Sequence, residues 1–515
     1  MINKPHIKKV VCIGAGYVGG PTMAVMAEKC KGIEIKIVDL NKNKIDLWNS
    51  KDLTKLPVFE PGLSSIIKKV RGKNLFFSTD VKGAIAQADI IFISVNTPTK
   101  TYGYGAGFAS DLKWVESCAR TIANNANGQT IVVEKSTVPV RTAQVIKTIL
   151  ESNKDTNSNK SFAILSNPEF LAEGTAINDL FNPDRVLIGG EDTFAIEELS
   201  WIYEHWVDKD RIIKTNLWSS ELSKLAANAF LAQRISSINA IGAICESTGA
   251  DVREVKLAIG SDQRIGNKFL EAGPGFGGSC FKKDILNMVY LSKYFGLQEV
   301  SNYWEQVLIL NDWQRKRISK LVVENLFGNI NNKKIGILGF AFKANTNDTR
   351  ESSAIDISRE LMAEGAQIVI HDPQVSEEQI SNDLNNHLDK TYEDKLASNG
   401  LWWTSKDYSE IFTNSDAVII LTEWEDYKNL NWTVFAKLMR KPAWIFDSRS
   451  VVDPDLINNL GIKLWRIGDG TINKFTIDQS HQDYSLANSN HLCTFRKSLF
   501  WPSNLIPAMP NLHLR

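Results

Sequence analysis

The sequence predicts an α/β protein with two doubly wound parallel-sheet domains joined by a long central helix. Short apolar runs alternate with amphipathic segments up to about residue 215, and a helical section follows them. A second alternating section begins near residue 334. Alternating strand and helix patterns are typical of a parallel sheet covered by helices. A chain of 515 residues also exceeds what one hydrophobic core usually supports, so more than one domain is expected.

The strand candidates are short, mostly continuous apolar runs. In the first section they are Val10–Ile13, Ile35–Val38, Ile90–Val95, Ile131–Glu134, Phe162–Ser166 and Val186–Ile188, and in the second they are Lys334–Leu338, Gln367–Ile370, Ala417–Leu421 and Trp444–Phe446. Between the two sections, Ala, Leu and Ile recur at three- and four-residue spacing. This spacing predicts a long helix over Glu221–Thr248 that ends at Gly249.

These patterns suggest where the chain divides. We expect a first domain over residues 1–217, a central helical section over 218–330 and a second α/β domain over 331–470. Residues 471–515 lose periodicity, and Pro502, Pro507 and Pro510 prevent a continuous helix there. We therefore expect a flexible tail.

Composition excludes several classes of protein. Acidic and basic residues balance at 59 each, so nothing indicates a nucleic-acid or membrane surface. The sequence contains no run of about 18 apolar residues, so no membrane span is predicted. The cysteines lack the paired spacing of a metal site, and Cys12, Cys30, Cys118 and Cys245 have the apolar neighbours of core residues. We expect a cytoplasmic protein without a metal.

A dinucleotide fingerprint opens the chain. The residues Gly14, Ala15, Gly16, Tyr17, Val18 and Gly19 match GxGxxG, follow an apolar strand and precede the helical run Pro21–Lys29. The next strand ends in Asp39, twenty residues beyond Gly19. Gly14 permits the tight turn, Gly16 admits the pyrophosphate and Gly19 allows close packing of helix and strand. The pattern predicts a Rossmann-like domain. Because Asp39 would accept hydrogen bonds from the ribose and repel a 2′-phosphate, the predicted cofactor is NAD.

Two further loops leave the carboxyl ends of predicted strands, where open sheets place their ligands. Asn96, Thr97, Pro98 and Thr99 follow one strand, and Ser136, Thr137, Val138 and Pro139 follow the next. Both segments could be plain proline turns. Their shared position at the sheet ends favours cofactor contact.

The stretch Gly273–Asp284 carries the strongest chemical signal. Glycines at 275, 277 and 278 leave the backbone bare, which suits it to surround a polar ligand. The pattern then becomes helical, which puts Cys280 near a helix N-terminus, where a thiolate is favoured. Asp284 lies four residues on and shares that face. These features favour a nucleophilic thiol over a structural one.

Two other sets of residues suit the same chemistry. Lys224 and Asn228 lie four residues apart on the predicted long helix, so they share a face. The segment Asn167–Glu173 follows a strand and carries two carboxylates, Glu169 and Glu173. In isolation, each could be an ordinary surface or helix-start charge.

Together these motifs resemble the UDP-glucose/GDP-mannose dehydrogenase family, and most closely its animal-type branch. The resemblance extends in order over roughly residues 8–470 and includes GAGYVGGPT, VNTPTKTYG, EKSTVPV, NPEFLAEGTA, the Lys224–Asn228 helix, GFGGSC and FKANTNDTRES. It implies an NAD-dependent, four-electron oxidation of UDP-glucose to UDP-glucuronate through a thiohemiacetal and a thioester on Cys280. It also implies a homo-oligomer, either a dimer or a trimer of dimers.

The resemblance assigns roles by motif position. Cys280 would be the nucleophile, Lys224 a base and oxyanion stabiliser, and Glu169 the base of thioester hydrolysis. Asp284 and Asn228 would place a water or a substrate oxygen, with Thr137 also in the catalytic set. Added cofactor contacts would be Lys44, Val95, Glu173, Cys280, Lys283 and Arg350. Substrate contacts would be Glu169, Phe170, Leu171, Ala172, Glu173, Lys224, Asn228, Phe269, Gly275, Phe276, Gly277, Phe281, Phe342, Lys343 and Arg449, with Arg264 from a neighbouring subunit.

Other interpretations stay open at this point. Glu271 and Pro274 depart from the family pattern. Dehydrogenases of UDP-N-acetylmannosamine or GDP-mannose share the cysteine and the fingerprint, although the loop Thr97–Asp111 favours UDP-glucose. A non-catalytic nucleotide-sugar sensor is a further alternative. The joint presence of Cys280, Lys224, Glu169 and Asp284 argues against a sensor, because binding alone does not need those groups.

Overall fold

The computed structural model describes residues 7–152, 160–385 and 401–472. It confirms the predicted fold class, with two α/β domains and a long helix between them. The predicted tail lies outside the described residues from position 473 onward.

The first domain is built on an eight-stranded sheet. Its strands, in the spatial order β3-β2-β1-β4-β5-β6-β7-β8, are β1 (Lys9–Ile13), β2 (Glu34–Val38), β3 (Leu75–Ser78), β4 (Ile90–Ile93), β5 (Gln129–Glu134), β6 (Ser161–Ser166), β7 (Val186–Gly190) and β8 (Ile212–Thr215). Six of the seven neighbouring pairs are parallel, but β6 and β7 are antiparallel. The predicted parallel sheet thus includes one antiparallel pair, which apolar patterning could not reveal because it carries no information on strand direction.

Helices cover both faces of this sheet. They are α1 (Gly19–Lys29), α2 (Lys42–Asn49), α3 (Leu63–Val70), α4 (Val81–Ile85), α5 (Lys113–Asn125), α6 (Thr142–Ser152), α7 (Ala176–Phe181) and α8 (Thr193–Tyr203). Along β1, Val10 and Cys12 belong to one core, which includes α1, α3 and α8. Val11 and Ile13 belong to the other, which includes α5 and α6. Burial on both faces explains why the inner strands are continuous apolar runs.

A helical section follows, consisting of α9 (Leu217–Thr248), α10 (Val252–Gly260), α11 (Phe281–Tyr294) and α12 (Gln298–Asn325). The long helix α9 begins four residues before the predicted start at Glu221. The reason is its cap, because the Asn216 side chain accepts a hydrogen bond from Ser219 N–H at 2.8 Å. The helix ends where predicted, at Gly249, which adopts a left-handed conformation with φ +83°.

The second domain is built on a six-stranded parallel sheet. In the spatial order β11-β10-β9-β12-β13-β14, its strands are β9 (Lys334–Leu338), β10 (Gln367–His371), β11 (Trp402–Thr404), β12 (Ala417–Ile420), β13 (Trp444–Asp447) and β14 (Lys463–Arg466). Its helices are α13 (Ser353–Ala363), α14 (Glu377–Asn385), α15 (Tyr408–Phe412), α16 (Glu425–Lys428), α17 (Trp432–Phe435) and α18 (Pro454–Asn459). A single large apolar core unites these elements with the end of α12.

Candidate active site

The three fingerprint glycines serve two different purposes. Gly14 has φ +111°, and a Cβ there would overlap the Ser94 carbonyl oxygen on β4's exit loop. A Cβ at Gly19 would overlap the Gly14 carbonyl oxygen, so close packing requires both glycines. A Cβ at Gly16 would meet nothing within 4 Å. The open space above Gly16, beside the start of α1, fits the pyrophosphate of a dinucleotide.

Asp39 lies at the end of β2 and is held beside this turn. Its Oδ2 accepts from Ala15 N–H at 3.0 Å and from Lys44 Nζ at 3.1 Å, and its Oδ1 accepts from Asn41 N–H at 2.9 Å. Burial opposes ionisation, but these donors outweigh it and the pKa of Asp39 lies below its ordinary value. The side chain is an anion at neutral pH, as recognition of a free ribose requires. The Asp39 carboxylate also holds Lys44, a predicted cofactor contact, beside the glycine turn.

Tyr17 has a partner that sequence patterns did not reveal. Its hydroxyl donates to the Glu60 carboxylate, and Glu60 also accepts from Gly174 N–H at 2.5 Å and Ala176 N–H at 3.1 Å. Glu60 therefore ties the glycine turn to the loop after β6. It precedes α3 in an irregular segment, more than a hundred residues from Gly174, and no periodicity marks it.

The loops after β4 and β5 meet as predicted for neighbouring strands. Thr97 Oγ1 donates to the Thr137 carbonyl at 2.7 Å, and Ser136 Oγ donates to the Val95 carbonyl at 2.7 Å. Lys283 Nζ, from α11, lies 3.5 Å from Thr97 Oγ1. The two predicted cofactor loops thus contact each other and the helix that begins at Cys280.

Glu169 is paired with a lysine that we did not predict. Its Oε2 lies 2.9 Å from Lys135 Nζ, and its Oε1 accepts from Phe170 N–H at 2.9 Å. Burial opposes ionisation, but Lys135, the Phe170 N–H and Lys224 together outweigh it, and the pKa of Glu169 lies below its ordinary value. The neighbouring Phe170 ring packs between Arg185 and Lys224. In sequence, Lys135 resembles any charged residue that follows a strand.

Lys224, Asn228 and Asp284 form one buried chain of contacts. Lys224 Nζ donates to Asn228 Oδ1 at 3.3 Å, and Asn228 Nδ2 donates to Asp284 Oδ2 at 2.6 Å. Lys283 Nζ lies 2.9 Å from the other Asp284 oxygen. Burial lowers the pKa of Lys224, although the neighbouring Cys280, Asp284 and Glu169 side chains oppose that shift. A buried lysine of this kind suits proton transfer.

Cys280 differs from the other described cysteines. It is the N-cap residue of α11 and is exposed, with Ser279 Oγ 3.4 Å from its Sγ. Burial instead raises the pKa of Cys12, Cys30 and Cys118 to about 12. Cys245 is also buried. Of the five cysteines that the structure describes, Cys280 is the one that is exposed, whereas Cys118 is half-buried.

The glycine-rich loop before Cys280 is packed rather than bare. The Phe276 N–H donates to Asn311 Oδ1 at 2.8 Å, and the Gly278 N–H donates to the Arg350 carbonyl at 2.8 Å. A Cβ at Gly277 would lie 2.5 Å from the Glu351 carbonyl oxygen, and one at Gly278 would lie 2.9 Å from the Phe342 ring. The loop therefore needs Gly277 and Gly278 in order to pack against the second domain, and its contact with a ligand stays a prediction.

Arg350 and Glu173 join the two domains. Arg350 Nη2 donates to Glu173 Oε1 at 3.2 Å and to Asp348 Oδ2 at 2.6 Å. Burial and the adjacent Asp348 carboxylate raise the pKa of Glu173 to about 8. The two carboxyl groups therefore share a proton near neutral pH.

Two predicted substrate residues of the second domain, Phe342 and Arg449, lie against the glycine-rich loop before Cys280. Arg449 Nη2 donates to the Phe342 carbonyl at 3.1 Å, and its Nε lies 3.1 Å from Glu423 Oε2. The Lys343 ammonium stands 5.6 Å from the centroid of the Phe342 ring. Phe269 and Phe276 each make an edge contact with Phe281 on α11.

A few predicted residues point elsewhere. Arg264 has a side chain that is 89% exposed and pairs with Asp262, which leaves it accessible to another subunit. Glu271 pairs with Lys256, and Ala172 N–H donates to Asp179 at 2.9 Å. Ser353 Oγ donates to the Pro274 carbonyl at 3.0 Å. Lys256 thus gives Glu271 a charged partner, whereas nothing in the structure explains a proline at 274.

The described ranges contain neither a metal-binding cluster nor a membrane-spanning helix. Within residues 7–152, 160–385 and 401–472, no group of three or more His, Cys, Asp or Glu side chains could hold a metal ion. Over the same part of the chain, no helix is both long and apolar enough to span a membrane.

Comparison with known proteins accounts for nearly the whole described chain. Models of the UDP-glucose/GDP-mannose dehydrogenase family match in order: the NAD binding domain over residues 8–207, the central domain over 218–313 and the UDP binding domain over 336–454. Residues 8–207 therefore form an NAD binding domain, which confirms the predicted cofactor.

Full-length relatives agree with these matches. The chain is 55% identical to the UDP-glucose 6-dehydrogenase of Rattus norvegicus over 469 residues, which is 90% of this chain and 94% of that protein. It is 56% identical to that of Gallus gallus over 461 residues, covering 89% and 92%. A UDP-glucose dehydrogenase structure from Pyrobaculum islandicum superposes with a TM-score of 0.77 at 29% identity, covering 91% and 99%. This chain therefore belongs to the UDP-glucose/GDP-mannose dehydrogenase family and is an NAD-dependent dehydrogenase.

Proposed function

We propose that this dehydrogenase oxidises UDP-glucose to UDP-glucuronate in two NAD-dependent steps, through a thiohemiacetal and a thioester on Cys280. One observation carries the proposal. An exposed thiol stands at the N-terminus of α11, next to the buried Lys224–Asn228–Asp284 chain. A single oxidation of an alcohol requires no thiol, whereas oxidation to the acid level can use one. Relatives named UDP-glucose 6-dehydrogenase support the choice of substrate.

Lys224 is the proposed proton carrier of the oxidations. When bound, NAD supplies the hydride acceptor for each of the two steps. Burial lowers the pKa of Lys224, so a neutral amine is accessible to take the proton of the sugar hydroxyl. The C–H electron pair leaves as hydride and an aldehyde forms. Asn228 and Asp284 would orient the amine, since both lie in its chain of hydrogen bonds.

Cys280 and Glu169 act in the later steps of the proposal. The thiolate attacks the aldehyde carbon, a C–S bond forms and the oxygen takes a proton from Lys224. Loss of that proton and of a second hydride leaves the thioester. Glu169 then takes a proton from water as the new C–O bond forms. The C–S bond breaks, and its electron pair returns to the Cys280 sulfur.

Stoichiometry and a trapped intermediate test the proposal. We expect two NADH for each UDP-glucose, with little free aldehyde. Cys280→Ala should abolish complete oxidation and form no adduct. Glu169→Gln should keep the NADH burst and accumulate a UDP-hexuronyl adduct on Cys280, seen by intact-protein mass spectrometry. A ratio of one NADH with accumulating aldehyde would refute the thioester route, and an adduct on another residue would remove Cys280 as nucleophile.

A panel of nucleotide sugars tests the substrate. UDP-glucose should give a higher kcat/KM than UDP-N-acetylmannosamine or GDP-mannose. Binding of UDP-glucose without NADH formation would instead indicate a nucleotide-sugar sensor.

We also propose a homo-oligomer that associates through its helical section. Large apolar side chains are exposed there, including Phe230 and Ile244 on α9, Leu257 on α10 and Trp313 on α12. Such a surface is typical of a protein–protein interface. Light scattering should give a mass of at least two chains, and Phe230→Glu should lower it. The cytoplasmic location stays a prediction.

A further inference from the structure

Lys135 is a buried cation with three acceptors. It follows β5 directly, and only 3% of its side chain is exposed. Its Nζ lies 2.9 Å from Glu169 Oε2, and it donates to Asn167 Oδ1 at 3.0 Å and to the Tyr203 hydroxyl at 3.2 Å. An ammonium has three donors, and each finds an acceptor here.

The acceptors around Lys135 are themselves fixed. The Tyr203 hydroxyl donates to Asn167 Oδ1 at 2.6 Å, and Asn167 Nδ2 donates to the Leu187 carbonyl at 2.7 Å. Tyr203 ends α8, and Leu187 lies on β7. The ammonium is therefore held by Tyr203 of α8 as well as by Asn167 and Glu169 of the loop after β6, and Asn167 is in turn anchored to β7.

Burial and nearby positive charges shift the pKa of Glu169 in opposite directions. Lys135 from the end of β5, Lys224 from α9 and Tyr203 from α8 act on it, and Thr22 on α1 contributes a hydroxyl at 3.4 Å. Two further charged residues, Asp179 on α7 and Arg185 before β7, line the same cavity as Glu169. Lys135 is the largest influence that favours the carboxylate. Without Lys135, the largest influence that opposes burial would be lost and the pKa of Glu169 would rise.

We infer that Lys135 is a positioning residue that keeps Glu169 ionised and in place for hydrolysis of the Cys280 thioester. The inference rests on the proposed function, since it names what sets the state of the hydrolytic base. A protonated Glu169 cannot accept a proton from water. The ammonium neutralises the buried carboxylate, touches no reacting atom in this proposal and takes no part in the two oxidations.

The test separates the oxidations from hydrolysis. UDP-glucose and excess NAD are mixed with wild type, Lys135→Met, Lys135→Arg and the matched control Tyr203→Phe, which removes one acceptor but keeps both charges. The NADH burst, the steady-state rate and the mass of the covalent adduct are measured between pH 6 and 9. For Lys135→Met we expect a burst of two NADH per site, a steady-state rate at least about tenfold lower at pH 7, and an accumulating adduct.

The pH profile distinguishes this role from a structural one. In Lys135→Met the rate of hydrolysis should recover as pH rises, because the unpaired Glu169 ionises only at higher pH. Lys135→Arg should restore most of the rate, and Tyr203→Phe should follow the wild-type profile. Combining Lys135→Met with Glu169→Gln should be no slower than Glu169→Gln alone and should lose the rise with pH.

Three results would overturn the inference. The first is a steady-state rate of Lys135→Met equal to that of wild type. The second is a loss of the NADH burst in that variant as large as its loss of hydrolysis rate. The third is a slow Lys135→Met whose hydrolysis rate does not change with pH. If Lys135→Met does not fold, a Lys135→Arg variant that accumulates as much adduct as Glu169→Gln, with no dependence on pH, would overturn it as well. If Glu169→Gln gives the NADH burst without an adduct, Glu169 is not the hydrolytic base and the inference fails with it. If wild type gives one NADH per UDP-glucose with accumulating aldehyde, the thioester route itself fails, which is a separate outcome.

Discussion

The guanidinium of Arg350 donates to Glu173 Oε1 at 3.2 Å, across the boundary between the two α/β domains. Glu173 lies on the loop after β6, and Arg350 lies on the loop between β9 and α13. Asp348 stands beside both and completes a cluster of two carboxyl groups and one guanidinium. The link between the domains therefore contains a titratable site.

Stability should fall with rising pH because of this cluster. The pKa of Glu173 is raised from 4.5 to about 8, so the folded chain retains a proton that the unfolded chain releases. The stabilisation is fully present below about pH 4.5 and is lost as pH rises towards about 8. In Glu173→Gln an amide N–H replaces the shared proton. Its melting temperature should therefore exceed that of the wild type by more at pH 8 than at pH 5. Parallel curves for the two proteins would contradict a shared proton.

Cofactor choice should depend on Asp39. Its ionised carboxylate would repel a 2′-phosphate, so wild type should prefer NAD over NADP. Asp39→Asn removes that charge and leaves Lys44 free to attract the phosphate. The kcat/KM for NAD divided by that for NADP should fall by at least about tenfold, which corresponds to about 1.4 kcal/mol. Equal use of both cofactors by wild type would place Asp39 away from the ribose.

Gly16→Ala should weaken NAD binding without changing the fold. Because a Cβ there meets nothing within 4 Å of protein, thermal stability should stay close to that of wild type. The methyl group would instead enter the space of the pyrophosphate, and we expect Kd for NAD to rise about tenfold or more. Gly32→Ala is the matched control, since its Cβ also meets nothing. Unchanged NAD affinity in Gly16→Ala would exclude the phosphate from this position.

Gly278→Ala should cost more stability than Gly72→Ala. Both glycines have positive φ, +81° and +76°, so each substitution carries a similar backbone penalty of about 1 kcal/mol. Only Gly278 faces a neighbour, the Phe342 ring at 2.9 Å, which should add about 1–3 kcal/mol. Urea unfolding measures both variants. Equal losses would show that Phe342 moves aside freely.

The inner strands could be predicted from sequence, whereas the outer ones could not. The four strands absent from the prediction, β3, β8, β11 and β14, are the end strands of the two sheets over the described residues. Inner strands such as β4 are buried on both faces and form continuous apolar runs. Strand β8 is buried at one residue in four, so its sequence lacks that signal.

The same contrast applies to the site. Cys280, Lys224 and the fingerprint glycines lie in local motifs, and the spacing of residues within those motifs predicts a role in the site. Glu60 and Lys135 act through partners that are distant in sequence, Gly174 and Glu169. Their burial is created by the fold, and a single sequence does not reveal which charged residues a fold will enclose.

The packing of Gly277 and Gly278 against Glu351 and Phe342 has a consequence for biosynthesis. The segment that carries Cys280 leaves the ribosome before the domain that shapes it. Until β9 and the loop after it have emerged and docked, the segment lacks the wall that fixes its path. The glycine turn at Gly14 and Gly19 packs within the first domain, so it needs no such wall and can form earlier. A nascent or truncated chain would thus have a formed glycine turn before the segment around Cys280 is fixed.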